Sequence, residues 1–84
     1  MTSEEFVAFR KRLGLSQTQL ADHMGMSLRA IQDIENGRAQ LRRIHILAIE
    51  RLSLMLGSAL GNLSLIDPTT LAEARSAAAI PNNG

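Results

Sequence analysis

The side chains best suited to bind another molecule lie between residues 28 and 36, where polar groups interrupt an apolar pattern. Ile31 and Ile34 are three residues apart, and this spacing predicts a helix with both isoleucines on its inner side. The outer side then carries Leu28, Arg29, Gln32 and Asp33. Guanidinium, amide and carboxylate groups can hydrogen-bond to the flat edge of another molecule. No nucleophile stands beside a base here, so the segment predicts recognition and not covalent chemistry.

The surrounding sequence predicts two short helices joined by a tight turn over residues 16–37. Ser16 and Gln19 form a capping box at the start of the first helix. Gly25 ends that helix, because glycine takes a positive φ without strain. Ala21 is small enough to let the two helices cross closely. The arrangement predicts a helix-turn-helix, whose second helix is suited to the DNA major groove. An ordinary helical hairpin with a polar outer side is the alternative.

Residues 10–37 resemble the Cro and phage-repressor class of helix-turn-helix regulators. The resemblance rests on the segments Leu-Gly-Leu-Ser-Gln, Gln-Leu-Ala, Met-Gly-Met-Ser and Ile-Glu-Asn-Gly. It is specific from residue 5 to 37, weaker to about residue 56 and absent beyond. It implies an all-α, lambda-repressor-like bundle of about five helices with the third as recognition helix. It also implies an ion pair between Arg10 and Glu35 that joins the first helix to the recognition helix.

The outer side of the recognition helix is expected to read base edges. The base-reading residues are Leu28, Arg29, Gln32 and Asp33. The fork of Arg29 matches O6 and N7 of guanine, and Leu28 could cover a thymine methyl group. Asp33 either accepts a hydrogen bond from cytosine N4 or holds Arg29, four residues earlier, in position, and we favour the second role. Better-known members of the class often carry glutamines here, so their operators do not transfer to this chain.

A second group of residues is expected at the phosphate backbone. The amides at the start of the second helix form an anion site, and Gln17 lies in its first turn. The resemblance assigns phosphate contacts to this glutamine and to Asn36. Residues 38–51 contain four arginines and one glutamate, a basic cluster directly after the recognition helix. The expected backbone contacts are Gln17, Ser27, Asn36, Arg38, Arg42 and Arg43.

The remaining helices are predicted from caps and periodicity. Thr2 and Glu5 form a capping box that starts the first helix, and the fourth helix should run from residue 41 or 42 to 55 or 56. Residues 63–66 could form a short strand or an extended linker, and Asp67 should cap a last helix that ends near Ala79. On the fourth helix, the expected core residues are Ile44, Leu47, Ala48, Leu52 and Met55.

This pattern divides the chain into a helix-turn-helix domain at 1–57, a C-terminal extension at 58–80 and a disordered tail at 81–84. The fourth helix has apolar residues around much of its circumference and needs a second partner, which is either the C-terminal segment or another subunit. Members of the class usually bind inverted repeats as two-fold dimers, so we expect a homodimer. Its interface is expected to form from the surplus apolar surface of the fourth helix and from the C-terminal extension. The expected dimerisation residues are Ile46, Ile49, Leu56, Leu60, Leu63, Leu65 and Leu71.

Composition limits the function classes. The 84 residues include no cysteine, so no disulfide or thiolate metal site can form. The net charge of +1 argues neither for nor against a nucleic-acid partner. His23 and His45 have no companion at metal-ligand spacing, and nothing resembles a signal peptide. We therefore expect no enzyme activity, no cofactor, no metal, no membrane association and a cytoplasmic location.

The leading functional hypothesis is a small repressor of a phage or other mobile element, acting on its own promoter, with the anti-CRISPR-associated type included. One alternative is an antitoxin that binds DNA and also a toxin through its C-terminal segment. The other is an interaction module that has lost contact with DNA.

Overall fold

Five α-helices and one short 3-10 helix make up the described part of the chain, residues 1–81 of the computed structural model. They are α1 (Ser3–Arg12), α2 (Gln17–Met24), α3 (Leu28–Glu35), α4 (Arg43–Leu60), η1 (Leu63–Leu65) and α5 (Pro68–Ala78). No strand occurs within these 81 residues, so the predicted all-α fold is confirmed. Of the predicted tail, residues 82–84 lie outside the described residues.

Local capping explains where the helices begin. The Thr2 hydroxyl accepts from the Glu5 amide at 3.1 Å, and the Glu5 carboxylate accepts from the Thr2 amide at 3.2 Å. Ser16 and Gln19 form the same reciprocal pair at 3.1 and 2.9 Å. Gly25 ends α2 with a φ of +66°. The predicted capping boxes and the glycine turn of the helix-turn-helix are therefore confirmed, and side chains fix both helix starts.

The core lies where α1, α2, α3 and the middle of α4 meet. Ala21 is 3% exposed, and its small side chain lets α2 and α3 approach closely. The buried apolar residues of this cluster are Phe6, Phe9, Leu13, Leu20, Ala21, Ile31, Ile34, Ile49 and Leu52. Because Ile31 and Ile34 belong to it, α3 is anchored along one side and presents the other side outward.

The predicted orientation of α4 is wrong for three of the five residues expected in the core, although Leu52 is buried as predicted. Ile44, Leu47 and Met55, expected in the core, are 68%, 52% and 43% exposed, whereas Ile49, expected in a dimer interface, is fully buried. The helix is apolar on two sides, so periodicity could not determine which side faces the domain. The helix also continues to Leu60, beyond the predicted end.

The C-terminal segment docks on the inner side of α4. The Ser53 hydroxyl is fully buried, donates to the Glu50 carbonyl oxygen at 2.6 Å and accepts from the Asp67 amide at 3.0 Å. Gly57 leaves room for Ile66, because a Cβ at residue 57 would lie 2.9 Å from the Asn62 carbonyl oxygen and would also collide with the Ile66 side chain. These contacts fold residues 63–65 into a 3-10 helix, so the predicted strand or linker is wrong. Asp67 caps α5 as predicted.

The residues expected to form a dimer interface do not share one surface. Ile49 is fully buried and Leu56 is half-buried against the core, because α4 turns this side toward the domain. Leu65, in the 3-10 helix, is also half-buried against the core. Leu60 and Leu63 are exposed. Ile46 and Leu71 are half-buried.

One ion pair joins α1 to α3. Arg10 donates from Nε and Nη2 to the two oxygens of Glu35 at 2.7 and 3.0 Å, and from Nη1 to the Leu15 carbonyl oxygen at 2.9 Å. The two side chains are only 10% and 5% exposed. Burial by itself raises the pKa of Glu35, but hydrogen bonds from Arg10 and Gln17 and the Arg10 charge outweigh it and place the pKa below its ordinary 4.5. Glu35 is therefore ionised at neutral pH.

Removing one partner of this pair should destabilise the fold strongly. Arg10→Met should lower the free energy of unfolding by ~3–5 kcal/mol, because the Glu35 carboxylate would stay buried without its counter-ion. The double variant Arg10→Met/Glu35→Leu should recover most of this loss, because no buried charge remains. Urea denaturation at neutral pH measures both, and equal instability of the single and double variants would contradict this assignment.

The pair should also contribute to the pH dependence of stability. Since folding lowers the pKa of Glu35, the stabilisation is present above the unfolded-state pKa and is lost as pH falls through the lower folded-state pKa. Glu35→Gln should be less stable than the wild type at neutral pH but should lose less stability on acidification. Urea midpoints between about pH 2 and 7 test this, and parallel curves for the two proteins would disprove it.

Candidate nucleic-acid interface

The outer side of α3 presents a row of side chains to solvent. Ser27 caps the helix by accepting from the Ala30 amide at 3.1 Å. Leu28 is 40% exposed, and the Arg29 side chain is 77% exposed. Gln32 and Asp33 are half-buried, and Asn36 is exposed at the C-cap. The first turns of α3 therefore offer an apolar group, a cation and an amide on a rigid backbone.

Arg29 and Asp33 form a contact within this row. The Arg29 Nε atom lies 3.3 Å from Asp33 Oδ1, one helical turn away. An exposed pair of this kind adds little stability. Its effect is on orientation, because the long Arg29 side chain is directed along the helix and both terminal NH2 groups remain available to a ligand. This geometry corresponds to the orienting role for Asp33.

The backbone of Asp33 has a further role that the sequence did not predict. Its carbonyl oxygen accepts from the amides of Arg38 at 2.8 Å and Ala39 at 3.0 Å. Gly37, with a φ of +76°, allows the chain to reverse at this point. The start of the basic segment is thereby folded back against α3, and Arg38 lies directly beside this helix.

Gln17 is held by the same carboxylate that binds Arg10. Its Nε2 atom donates to Glu35 Oε1 at 3.1 Å, which joins the first turn of α2 to the last turn of α3. The side chain is half-buried. The amide has a second N–H that can still donate to a phosphate oxygen. The sequence predicted a phosphate contact for Gln17 and an ion pair between Arg10 and Glu35. It did not predict that Gln17 also binds Glu35.

The basic segment after α3 carries three exposed arginines, Arg38, Arg42 and Arg43. Within residues 1–81, none of the three belongs to an ion pair. The Arg42 backbone is fixed because its amide donates to Nδ1 of His45 at 3.0 Å, at the start of α4. His45 therefore acts at the third position of α4 as glutamate acts in a capping box. The sequence placed it at the surface, and its spacing from Arg42 was the available signal.

Six of the predicted residues fall into two groups. One group consists of Gln17, Glu35 and the adjacent Asn36, and the other of Arg29, Asp33 and the folded-back Arg38. Both are fixed to α3. The exposed side of α3 carries an oriented guanidinium group, and exposed arginines and amide side chains lie on either side of it. A surface of this composition is typical of proteins that bind nucleic acids.

Helices α2 and α3 pack together and are joined by the turn at Gly25. This pair is a helix-turn-helix, the motif that defines a class of DNA-binding domains. The helix-turn-helix family model matches residues 8–57, more than half of the chain. The chain therefore belongs to the helix-turn-helix family of Cro and phage-repressor type, and it is a DNA-binding transcription regulator.

Comparison with curated proteins and with solved structures gives no significant match. None of the helices within residues 1–81 combines the length and apolarity that a membrane span requires.

Arg29 should contribute discrimination at one base pair. Arg29→Ala should reduce affinity for the best site by ~1–3 kcal/mol, about 5- to 150-fold, and relax preference at a single guanine. Arg29→Lys is the matched control, since it keeps the charge but loses the planar fork, and it should recover part of the affinity with a weaker preference for guanine. Titration against all single-base variants of the site measures this. A loss shared equally by every variant would contradict base reading by Arg29.

The three arginines after α3 should act through charge alone. Arg38→Gln, Arg42→Gln and Arg43→Gln should each weaken binding to all sequences alike and reduce the slope of log affinity against log salt by about 1. Arg75→Gln, an exposed arginine on α5, is the control and should change neither quantity. Unchanged salt slopes in all three variants would place these residues away from the phosphates.

Proposed function

We propose that the protein is a dimeric, sequence-specific repressor that binds an inverted-repeat operator through α3 and acts on its own promoter. The observation that carries this proposal is the position of Arg29, which is oriented by Asp33 on the exposed side of α3 while the other side of the helix is buried in the core. Exposed arginines follow directly after this helix. Leu28, Arg29 and Gln32 read base edges, and Asp33 holds Arg29.

The contacts that flank α3 support a defined docking position. Gln17, fixed by Glu35, binds a phosphate on one side. Ser27 and Asn36, at the two ends of α3, bind the backbone within the same half-site. The segment from Arg38 to Arg43 follows the backbone on the other side. Contacts of this kind fix register and orientation, while base contacts supply specificity.

One recognition helix covers too few base pairs for a specific site, which supports two-fold binding. Two domains on half-sites about 34 Å apart would double the contacts. Bound at a promoter, such a dimer would block transcription, and its occupancy would follow protein concentration. Repressors regulated in this way suit phages and other mobile elements, including the anti-CRISPR-associated type.

The test is selection from a random duplex library, followed by titration of enriched sites over a salt series. We expect an inverted repeat with half-sites one helical turn apart, enriched by the wild type, and weaker enrichment with relaxed preference at one guanine of each half-site for Arg29→Ala. A promoter fusion carrying the enriched site should be repressed as the protein is induced. Failure to enrich any site, or binding explained wholly by salt, would contradict sequence-specific recognition.

An antitoxin is the second candidate, and exposed apolar side chains near the C-terminus favour it. Leu60, Leu63 and Ile80 are 69%, 55% and 69% exposed and could bind a toxin. A small toxin gene next to this one, whose product binds the chain and is released by Leu63→Glu, would support this candidate over the autorepressor.

A further inference from the structure

The C-terminal end of α3 carries a chemically labile pair of residues, Asn36 followed by Gly37. Asparagine is among the thermolabile residue types. Its side-chain amide can be attacked by the backbone nitrogen of the following residue, and a glycine there has no side chain to hinder the attack. A second Asn-Gly pair, at 83–84, lies outside the described residues. The chemistry of the pair at 36–37 can therefore be judged from the structure.

The fold itself requires glycine in this pair. Gly37 has a φ of +76°, which L residues rarely adopt, because the chain reverses after α3. The space around its Cα atom is open, so the backbone conformation and not packing excludes a side chain there. Asn36 is exposed, and water reaches its amide group. The structure thus maintains an unhindered, hydrated Asn-Gly pair beside the candidate nucleic-acid interface.

We propose that Asn36 is a site of spontaneous deamidation and that this modification irreversibly weakens DNA binding. The Gly37 nitrogen loses its proton and attacks Cγ of Asn36. The new N–Cγ bond closes a five-membered succinimide ring, the Cγ–Nδ2 bond breaks, and ammonia leaves. Water then opens the ring at either carbonyl group, which gives aspartate or isoaspartate. The step involves no oxidant or reductant, and its effect on DNA binding rests on the proposed function.

The last turn of α3 controls how fast this reaction proceeds. The Gly37 amide donates to the Ile34 carbonyl oxygen at 3.2 Å, and the ψ of Asn36 is −1°. Ring closure brings the Gly37 nitrogen against Cγ of Asn36, so ψ must rotate far from this helical value and the hydrogen bond must break. Helix ends open locally more easily than helix centres. Deamidation therefore proceeds through opening of the last turn.

Contacts beyond the pair oppose the same opening. The amides of Arg38 and Ala39 donate to the Asp33 carbonyl oxygen at 2.8 and 3.0 Å, which holds the chain on the far side of Gly37. A phosphate bound by the Asn36 side chain would restrain the near side, because a ligand that binds the closed form stabilises it. Chains bound to DNA should therefore be modified more slowly than free chains.

Both products change the interface. Aspartate at residue 36 places a negative charge at the C-terminal end of a helix, where the macrodipole disfavours it, and next to the expected phosphate. Isoaspartate carries the same charge and also adds one methylene group to the backbone at the chain reversal. The added length displaces the amides of Arg38 and Ala39 from the Asp33 carbonyl oxygen. Because ammonia has been lost, the fraction of chains with an intact interface falls with age.

Peptide mapping by mass spectrometry tests the modification. The full chain is incubated at mildly alkaline pH, which favours loss of the proton from the attacking nitrogen. Conversion of Asn36 to aspartate and isoaspartate should be at least ~10-fold slower in the folded chain than in urea, because the last turn must open. Saturating random-sequence duplex at low salt should slow it further. Asn62, which is exposed but followed by leucine, is the internal control and should react more slowly than Asn36 in urea.

Three results of this experiment would overturn the proposal. The first is an Asn36 that stays intact in the folded chain while the sample in urea is converted completely. The second is equal conversion in the folded chain and in urea, which would remove the control by α3. The third is a rate that bound duplex leaves unchanged, which would separate Asn36 from the phosphates.

Two variants test the consequence for binding. Asn36→Asp carries the charge of the products without the added methylene group and should bind every duplex ~5- to 10-fold more weakly than the wild type. Asn36→Gln keeps an amide, but its ring closure needs a sixth member and is slower. Whatever its initial affinity, that affinity should stay constant over an incubation that weakens the wild type. Circular dichroism melting checks that both variants are folded.

The readouts separate this inference from the proposed function. A wild type and an Asn36→Gln variant that lose affinity at the same rate, or an Asn36→Asp variant that binds as tightly as the wild type, would refute the effect on binding. A chain that is modified at Asn36 and binds random duplex more weakly, but enriches no operator, would support this inference while rejecting the repressor. A chain that enriches an operator and is never modified would reject this inference alone.

Discussion

The buried contact between Arg10 and Glu35 is the constraint on which the candidate nucleic-acid interface depends. It joins α1 to the last turn of α3, and the same carboxylate also receives Gln17 from the first turn of α2. One residue therefore fixes three helices relative to one another. Hydrophobic packing alone tolerates small rotations, whereas a two-pronged charged hydrogen bond specifies direction. These contacts therefore help to fix the orientation of α3 relative to α1 and α2.

This arrangement separates the residues that stabilise the domain from those that we propose contact DNA. Ile31 and Ile34 fill the core, and Glu35 satisfies Arg10, so that side of α3 cannot vary without loss of stability. On the other side, the Arg29 side chain is exposed and Gln32 is half-buried, and neither residue belongs to the apolar core. Asp33 belongs to both groups, because its side chain orients Arg29 while its carbonyl oxygen holds the basic segment.

Much of the fold could be predicted from sequence because capping is local. Each helix end that was predicted correctly depends on residues at most three positions apart. These are the pairs Thr2 with Glu5 and Ser16 with Gln19, the turn at Gly25 and the cap at Asp67. The orientation of α4 could not be predicted, because both of its sides are apolar and the choice depends on which side fits α1 to α3. For the same reason, the sequence could not predict the buried hydrogen bond between Ser53 and Asp67 or the packing of Ile66 against Gly57.

The candidate interface was predictable in its residue types but not in its connections. The outward side chains of α3 and the basic cluster follow from spacing and charge. The contact between Gln17 and Glu35 joins residues 18 positions apart, and the two amides bound by the Asp33 carbonyl oxygen depend on the chain reversal at Gly37. Contacts of this kind arise only when tertiary packing brings the helix ends together.

A crystal structure of the chain bound to the duplex that it enriches would test the proposed docking directly. We expect the first turns of α3 in the major groove, with the Arg29 guanidinium on a guanine edge. We also expect Gln17 at a phosphate while it is still bonded to Glu35. A complex in which α3 lies outside the groove, or in which Gln17 leaves Glu35 to reach the DNA, would contradict it.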